Sequence, residues 1–113
     1  MKPSEMKRAM ENAPSKDSLD LAMLIDAITQ RPQMYTGYAE LRYVAVYLEG
    51  FAYAKEEHSE ELRKFNLWLA ERLNFPRNWA WWDGLLRAYP DSQESIRELR
   101  RLFKEFKDSN QTQ

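Results

Sequence analysis

The chain of 113 residues has the length of a single domain, and its 17 basic and 18 acidic side chains leave a net charge of −1. This balance excludes the broadly basic surface that nucleic acids and anionic membranes attract. Because the chain has no cysteine, disulfides, thiolate metal sites and a cysteine nucleophile are excluded as well. An apolar fraction of 43% with a charged fraction of 31% is typical of a folded protein.

The distribution of apolar residues also bears on location. No apolar run approaches the roughly 18 residues that a membrane-spanning helix needs. The stretch from Met1 to Lys16 includes Glu5 and Glu11 and has no apolar core, so we do not expect a secretory signal there. We therefore expect a soluble cytoplasmic protein that has no membrane partner.

Apolar residues recur with helical spacing along most of the chain and predict five helices. The first spans residues 19–30 and ends before Pro32, which has no N–H to donate. The second, residues 39–57, is apolar around most of its circumference, which predicts a central helix with partners on several sides. Gly50 in its interior predicts a close crossing by another backbone.

Capping and breaking residues bound the other three helices. Ser59 is the expected N-cap of a third helix that runs to about Leu73. A short helix over residues 79–88 follows. Asp91 then opens a capping-box pattern before a last helix that ends near Lys107.

These elements predict the fold class and the domain limits. The expected fold is all-α, a compact antiparallel helical bundle of four main helices plus one short helix. No alternating pattern persists long enough to indicate a strand. We expect a single helical domain over residues 18–108, with a flexible segment at residues 1–17 and a flexible tail at residues 109–113.

Side chains that could carry chemistry are not gathered into a known pattern. His58 is the only histidine, and a metal or catalytic site would need two or three further convergent ligands. We interpret His58 as a surface residue at a helix junction. The sequence predicts no catalytic residue, no metal site and no cofactor, and hence no enzyme.

The last helix carries basic residues, but acidic residues are interleaved with them. From Ser92 to the end there are five basic and four acidic side chains. Spacings such as Arg101 to Glu105 are typical of a solvated helix face. We therefore expect no direct contact with nucleic acid.

An acidic cluster straddles the junction of the second and third predicted helices. It consists of Glu56, Glu57, Glu60 and Glu61. One interpretation is a solvated corner that the helix dipole favours. The other is an acidic patch that meets a basic protein partner.

The adjacent indoles of Trp81 and Trp82 give a second candidate for binding. Neighbouring positions on a helix differ by about 100°, so if Trp82 enters the core, Trp81 points elsewhere. An exposed tryptophan is typical of a protein interface. The alternative, that a small bundle wraps every indole, is equally favoured.

A compact motif, Arg31-Pro32-Gln33-Met34-Tyr35-Thr36-Gly37, separates the first two helices. We interpret it as an anchored joint in which Gly37 takes a positive φ. Met34 and Tyr35 are two large side chains on a short loop, so we expect at least one of them to be buried. Whether the motif, with Arg31 and Pro32, is functional or only structural is left open.

This motif is similar to a short segment in the ATPase region of type II topoisomerase B subunits. There the next helix carries a glutamate and an asparagine, and a later Asp-x-Gly-x-Gly loop binds adenine. Residues 40–50 of this chain lack that pattern, and the loop is absent. The similarity is therefore confined to the motif.

The chain more closely resembles a group of small helical bacterial proteins that are similar to immunity proteins of polymorphic or contact-dependent toxin systems. The shared pattern is an apolar helix, the Arg-Pro-x-Met-Tyr-x-Gly motif, a helix that ends near Gly50-Phe51, and a tryptophan-rich helix. The match covers residues 19–86. The chain departs from the pattern at Asn78, where glycine is usual, and in having Trp81 and Trp82.

The resemblance implies an immunity protein (antitoxin) that binds and neutralises a cognate toxin domain inside the producing cell. Such toxins are often nucleases with basic clefts, which an acidic and aromatic surface would complement. The alternative is a small interaction or regulatory module without a toxin partner, which could form a homo-oligomer through its tryptophan face. The residues expected to bind the toxin are Glu56, Glu57, Glu60, Glu61, Trp81 and Asp83.

Overall fold

The computed structural model describes residues 19–111, with side chains to residue 109. This part of the chain forms six helices and no strand, which confirms the all-α class. None of these helices is long and apolar enough to cross a membrane. The flexible segment predicted at residues 1–17 lies outside the described residues. The helices are α1 (Leu21–Gln30), α2 (Pro32–Thr36), α3 (Leu41–Tyr53), α4 (Glu56–Leu73), α5 (Trp81–Ala88) and α6 (Ser92–Gln111).

Helix α3 is the centre of the fold, as its apolar sequence predicts. It packs against each of the other five helices. Leucine, valine and alanine side chains on one side of α3 are fully buried, because these helices gather there. The buried positions are Leu41, Val44, Ala45, Leu48 and Ala52.

The opposite side of α3 is exposed, although the sequence predicts partners around most of its circumference. Val46 has 70% of its surface exposed, and Tyr43 and Tyr47 are exposed as well. At Gly50, no atom of the described residues lies within 4 Å of the position that a Cβ would occupy. The predicted backbone crossing at Gly50 is therefore wrong for residues 19–111.

The first helices begin and end at residues with clear capping roles. The Asp20 carboxylate accepts a hydrogen bond from the Met23 N–H at 2.8 Å and caps α1. Pro32 follows α1 but begins the short helix α2, which the sequence analysis missed. Gly37 ends α2 with a φ of 83° and donates its N–H to the carbonyl of Gln33, so the predicted positive φ is confirmed.

The start of α4 and the end of α6 differ from the predicted boundaries, whereas the cap at the start of α6 agrees with the prediction. Helix α4 begins at Glu56, so Ser59 lies inside it; the predicted N-cap is wrong. The Ser59 hydroxyl instead donates to the carbonyl of Ala52 at 2.7 Å, near the end of α3. The Asp91 carboxylate accepts from the Glu94 N–H at 2.9 Å, as predicted, and α6 then continues to Gln111.

An aromatic cluster centred on Phe65 joins α4, α5 and α6. Its ring centroid lies 5.0 Å from that of Phe103 and 6.0 Å from that of Trp81. On α5, Gly84 lies directly against the ring of Phe75. A Cβ on residue 84 would overlap the Phe75 ring, so the close approach of this ring requires glycine.

We predict that Gly84→Ala lowers the free energy of unfolding by about 2–3 kcal/mol, because the new methyl group overpacks against Phe75. In an ordinary helix interior the same change stabilises by roughly 1 kcal/mol, so the sign is diagnostic. The measurement is urea denaturation followed by circular dichroism.

Gly37→Ala provides the comparison for Gly84→Ala. It has open space around residue 37 but must hold a positive φ, which costs about 1–2 kcal/mol. A Gly84→Ala protein as stable as the wild type would contradict the close packing of Phe75.

Candidate functional site

The acidic cluster lies on the first two turns of α4, and half of it is paired. Glu60 binds Arg63 with a distance of 2.5 Å between Oε1 and Nη2, and this hydrogen bond holds the pKa of Glu60 below its usual value. Glu61 binds Lys107 of α6, again at 2.5 Å. These two glutamates therefore contribute little net charge to the surface.

The remaining carboxylates predicted to bind a partner are exposed. Glu56 and Glu57 occupy the first turn of α4, where the helix dipole favours negative charge. Neither forms an ion pair with a lysine or arginine among the described residues. Asp83 is exposed in the first turn of a separate helix, α5. The negative charge available to a partner thus comes from two helices.

Trp81 is not at the surface, which corrects the expectation that it forms part of a binding face. Only 1% of its area is exposed. The indole N–H donates to Oε1 of Glu49 on α3 at 2.9 Å, while the ring packs in the cluster around Phe65. Trp82 is the more exposed of the two indoles: it is only half-buried and meets the Trp81 ring edge-on at 5.5 Å.

His58 is also buried, and its interpretation as a surface residue is wrong. It has 4% of its area exposed, and its ring stacks on that of Phe51 with 4.9 Å between centroids. Neither ring nitrogen has a hydrogen-bond partner in the part of the chain that the structure describes. The Glu57 carboxylate lies 4.0 Å from Nε2 of His58. Because α4 begins at Glu56 rather than after Ser59, position 58 turns inward.

The motif between the first two helices presents its large side chains to solvent. Met34 is 74% exposed and Tyr35 is 39% exposed, so the expectation that at least one is buried is wrong. The physical reason is that α2 forms a surface helix with no fully buried residue. Pro32 and Gly37 set its two ends, whereas Met34 and Tyr35 project from it.

Beside α2, exposed tyrosines form a continuous surface with α3, which we call the tyrosine face. It consists of Tyr35, Tyr38, Tyr43, Val46 and Tyr47. The rings contact one another in pairs: Tyr35 meets Tyr47 edge-on at 5.8 Å, and Tyr38 stacks on Tyr43 at 4.7 Å. Tyrosine is enriched at protein interfaces because its ring is apolar and its hydroxyl tolerates water.

The tyrosine face was not predicted from the sequence. Tyr43 and Tyr47 belong to the helix that is apolar around most of its circumference, and both were therefore expected to be covered by other helices. Their spacing of four along a helix was visible, but the spacing does not reveal whether a second element covers that side. An apolar groove of about 700 Å³ adjoins the face. Its lining is Leu19, Leu24, Val46, Tyr47, Gly50, Phe51, Ala54, Lys55 and His58.

Comparison with known proteins gives no match: no protein-family model, curated protein or solved structure is significantly similar to this chain. Function is therefore inferred from the exposed surfaces and from the motif at residues 31–37. The surfaces differ in chemistry, since one is acidic and the other is aromatic and nearly uncharged.

We predict that Glu49→Ala lowers the free energy of unfolding by about 2 kcal/mol, because it leaves the buried Trp81 N–H without an acceptor. Glu49→Gln keeps an oxygen in the same place and should cost less than half as much. Urea denaturation of the two variants provides the measurement. Equal losses would mean that the charge of Glu49, rather than its bond to Trp81, matters.

We predict that His58→Phe raises the free energy of unfolding by about 1 kcal/mol. The variant keeps a ring stacked on Phe51 and removes two buried nitrogens that lack partners. Thermal and urea unfolding at neutral pH measure the change. A loss of stability would indicate that the imidazole nitrogens are satisfied in solution.

Proposed function

We propose that this chain is an immunity protein that binds and neutralises a cognate toxin domain by covering its active or substrate-binding surface. The proposal rests on the resemblance carried by residues 31–37 and on one structural observation, the exposed carboxylates at the start of α4, which form no ion pair with a lysine or arginine of the described residues. It places the protein in the cytoplasm of a bacterial cell, without a nucleic-acid or membrane partner. A nuclease is the toxin class that this charge fits best.

The exposed pair Glu56 and Glu57 is the part of the acidic cluster that supports this proposal most directly. A nuclease binds phosphates through a basic cleft, and exposed carboxylates steer such a cleft toward the inhibitor. Asp83 on α5 can extend the acidic surface. Glu60 and Glu61 contribute less, because Arg63 and Lys107 already bind them.

A second candidate function is a small interaction or regulatory module without a toxin partner. The tyrosine face favours it, because it is a large exposed aromatic surface that contains none of the acidic residues. Five of the six tyrosines of the chain are exposed on α2, α3 or the segment between them. An isolated gene with no toxin gene beside it would favour this candidate.

The arrangement of the helices determines how rigidly this chain presents a binding surface to a toxin or to another partner. We infer that the main helices α1, α3, α4 and α6 run as antiparallel neighbours. The support is that only residues 54–55 separate α3 from α4, and that these two helices pack together. A rigid helical frame of this kind holds an interface in place before the partner arrives.

The test is to mix the purified chain with the product of the neighbouring toxin gene and to measure the toxin's activity. We expect full inhibition by an equimolar amount of the wild-type chain. The double variant Glu56→Lys, Glu57→Lys should weaken inhibition about tenfold or more, because its reversed charges repel a basic cleft. The loss should shrink as salt is added.

Glu71→Lys is the matched control, since Glu71 is an exposed glutamate near the other end of α4. It should leave inhibition unchanged. If the toxin remains fully active with a stoichiometric excess of the wild-type chain, the immunity proposal fails. If inhibition is normal but the double variant inhibits equally well, the acidic surface is not the contact.

A further inference from the structure

We propose that the tyrosine face binds a second copy of this chain, with two α3 helices antiparallel around a two-fold axis beside Val46 and Tyr47. This inference does not depend on the toxin, because it uses neither the acidic cluster of α4 nor Asp83. It assigns a partner to Tyr43, Val46 and Tyr47, which are exposed on α3. Val46, which is 70% exposed, would lie at the centre of the contact.

The shape of the tyrosine face near Gly50 is complementary to itself. Tyr43 and Gly50 are seven residues apart, so they lie almost in line on one side of the helix, about 10 Å from each other. An antiparallel copy places Tyr43 against Gly50 of the partner subunit, and the two-fold axis repeats this contact. Within residues 19–111, no atom lies within 4 Å of where a Cβ of residue 50 would stand, which leaves room for a large ring.

The charges that flank the tyrosine face are complementary to themselves as well. Arg42 and Glu49 are also seven residues apart and flank the same side of α3, where both are exposed. In the antiparallel arrangement that pairs Tyr43 with Gly50, Arg42 and Glu49 of the partner subunit are offset by about 3 Å along the helix axis, which a long arginine side chain can span, and this pair also occurs twice. Oε1 of Glu49 already accepts the Trp81 N–H, which leaves its other oxygen for an arginine.

These two relations identify a second copy rather than an unrelated protein as the occupant. A closed two-fold interface needs a surface that is complementary to itself after rotation. The face offers a protrusion and a recess at equal distances from a point between Val46 and Tyr47, together with a positive and a negative side chain. The chain's net charge of −1 adds little repulsion between copies.

The direct test is the mass of the full-length chain in sedimentation velocity at about 100 µM, a concentration at which a micromolar complex is formed. We expect twice the 13.5 kDa mass of the single chain. Gly50→Gln should raise the dissociation constant at least tenfold, because its side chain fills the recess. The variant should still fold, since the site is open and glutamine favours a helix more than glycine does.

Controls separate a specific contact from a general effect of substitution. Ala88→Gln places the same side chain on an exposed position of α5 and should leave the mass unchanged. Arg42→Glu should weaken the dimer, whereas Arg97→Glu, at an exposed position of α6, should not. Circular dichroism confirms that each variant is folded.

A cysteine substitution adds a geometric test, because the chain contains no native cysteine. Val46→Cys should give a disulfide-linked dimer under mild oxidation, since residues beside a two-fold axis approach within disulfide range. Ala88→Cys is the control and should cross-link far less.

The proposal is overturned if the wild-type chain remains at the mass of one copy, or if Gly50→Gln leaves the dimer intact. A monomer would mean that a second copy is not the partner of the tyrosine face. Toxin inhibition by a monomeric Gly50→Gln chain would show that the immunity function stands without the dimer. A dimer that fails to inhibit any toxin would support this inference alone.

Discussion

The structure depends on the burial of one side of α3. All five other helices of the described chain pack on this helix, and its buried positions hold only leucine, valine and alanine. Burying each leucine or valine side chain stabilises the fold by about 1.5–3 kcal/mol. The buried side therefore contributes most of the stability of α3. Because the neighbours gather on that side, the other side of α3 is left exposed. The tyrosine face is thus a direct consequence of how the core is built.

The bond between Trp81 and Glu49 shows how a polar group directs this packing. A buried indole N–H without an acceptor would cost about 1–3 kcal/mol, so the orientation of α5 must bring it to a carboxylate. Glu49 provides that carboxylate on the exposed flank of α3. Once Trp81 is fixed, Gly84 lies one turn further along α5 and admits Phe75. One hydrogen bond and one glycine therefore set how α5 lies against its neighbours.

Periodicity in the sequence located the core accurately and the surface poorly. Leu41, Val44 and Leu48 follow the spacing of a helix face and are buried, as expected. Tyr43 and Tyr47 follow an equally regular spacing but are exposed, because spacing reports that a side is apolar and not that a neighbour covers it. The difference lies in long-range packing, which no local pattern contains.

The errors at the candidate site have the same origin. The choice between Trp81 and Trp82 was decided by Glu49, which is 32 residues away in the chain. His58 became buried because α4 starts at Glu56, and this shift of the helix start changed which residues face inward. By contrast, local rules sufficed for Gly37 and Asp91, whose conformations depend on residues within one turn. The four glutamates of the acidic cluster are evident in the sequence. The pairing of Glu60 with Arg63 follows from their spacing of three on one helix. The pairing of Glu61 with Lys107 does not, because Lys107 lies on a different helix.

The two proposed surfaces are compatible with each other in geometry. Glu56 follows the end of α3 at Tyr53, and α3 rises by about 1.5 Å per residue, so the acidic start of α4 lies roughly 10 Å from the proposed axis along the helix. In an antiparallel pair the two acidic ends point in opposite directions, which separates them by about 20 Å or more. Each copy would then present its carboxylates at the outside of the dimer. A dimer built on the tyrosine face would therefore keep both acidic surfaces available.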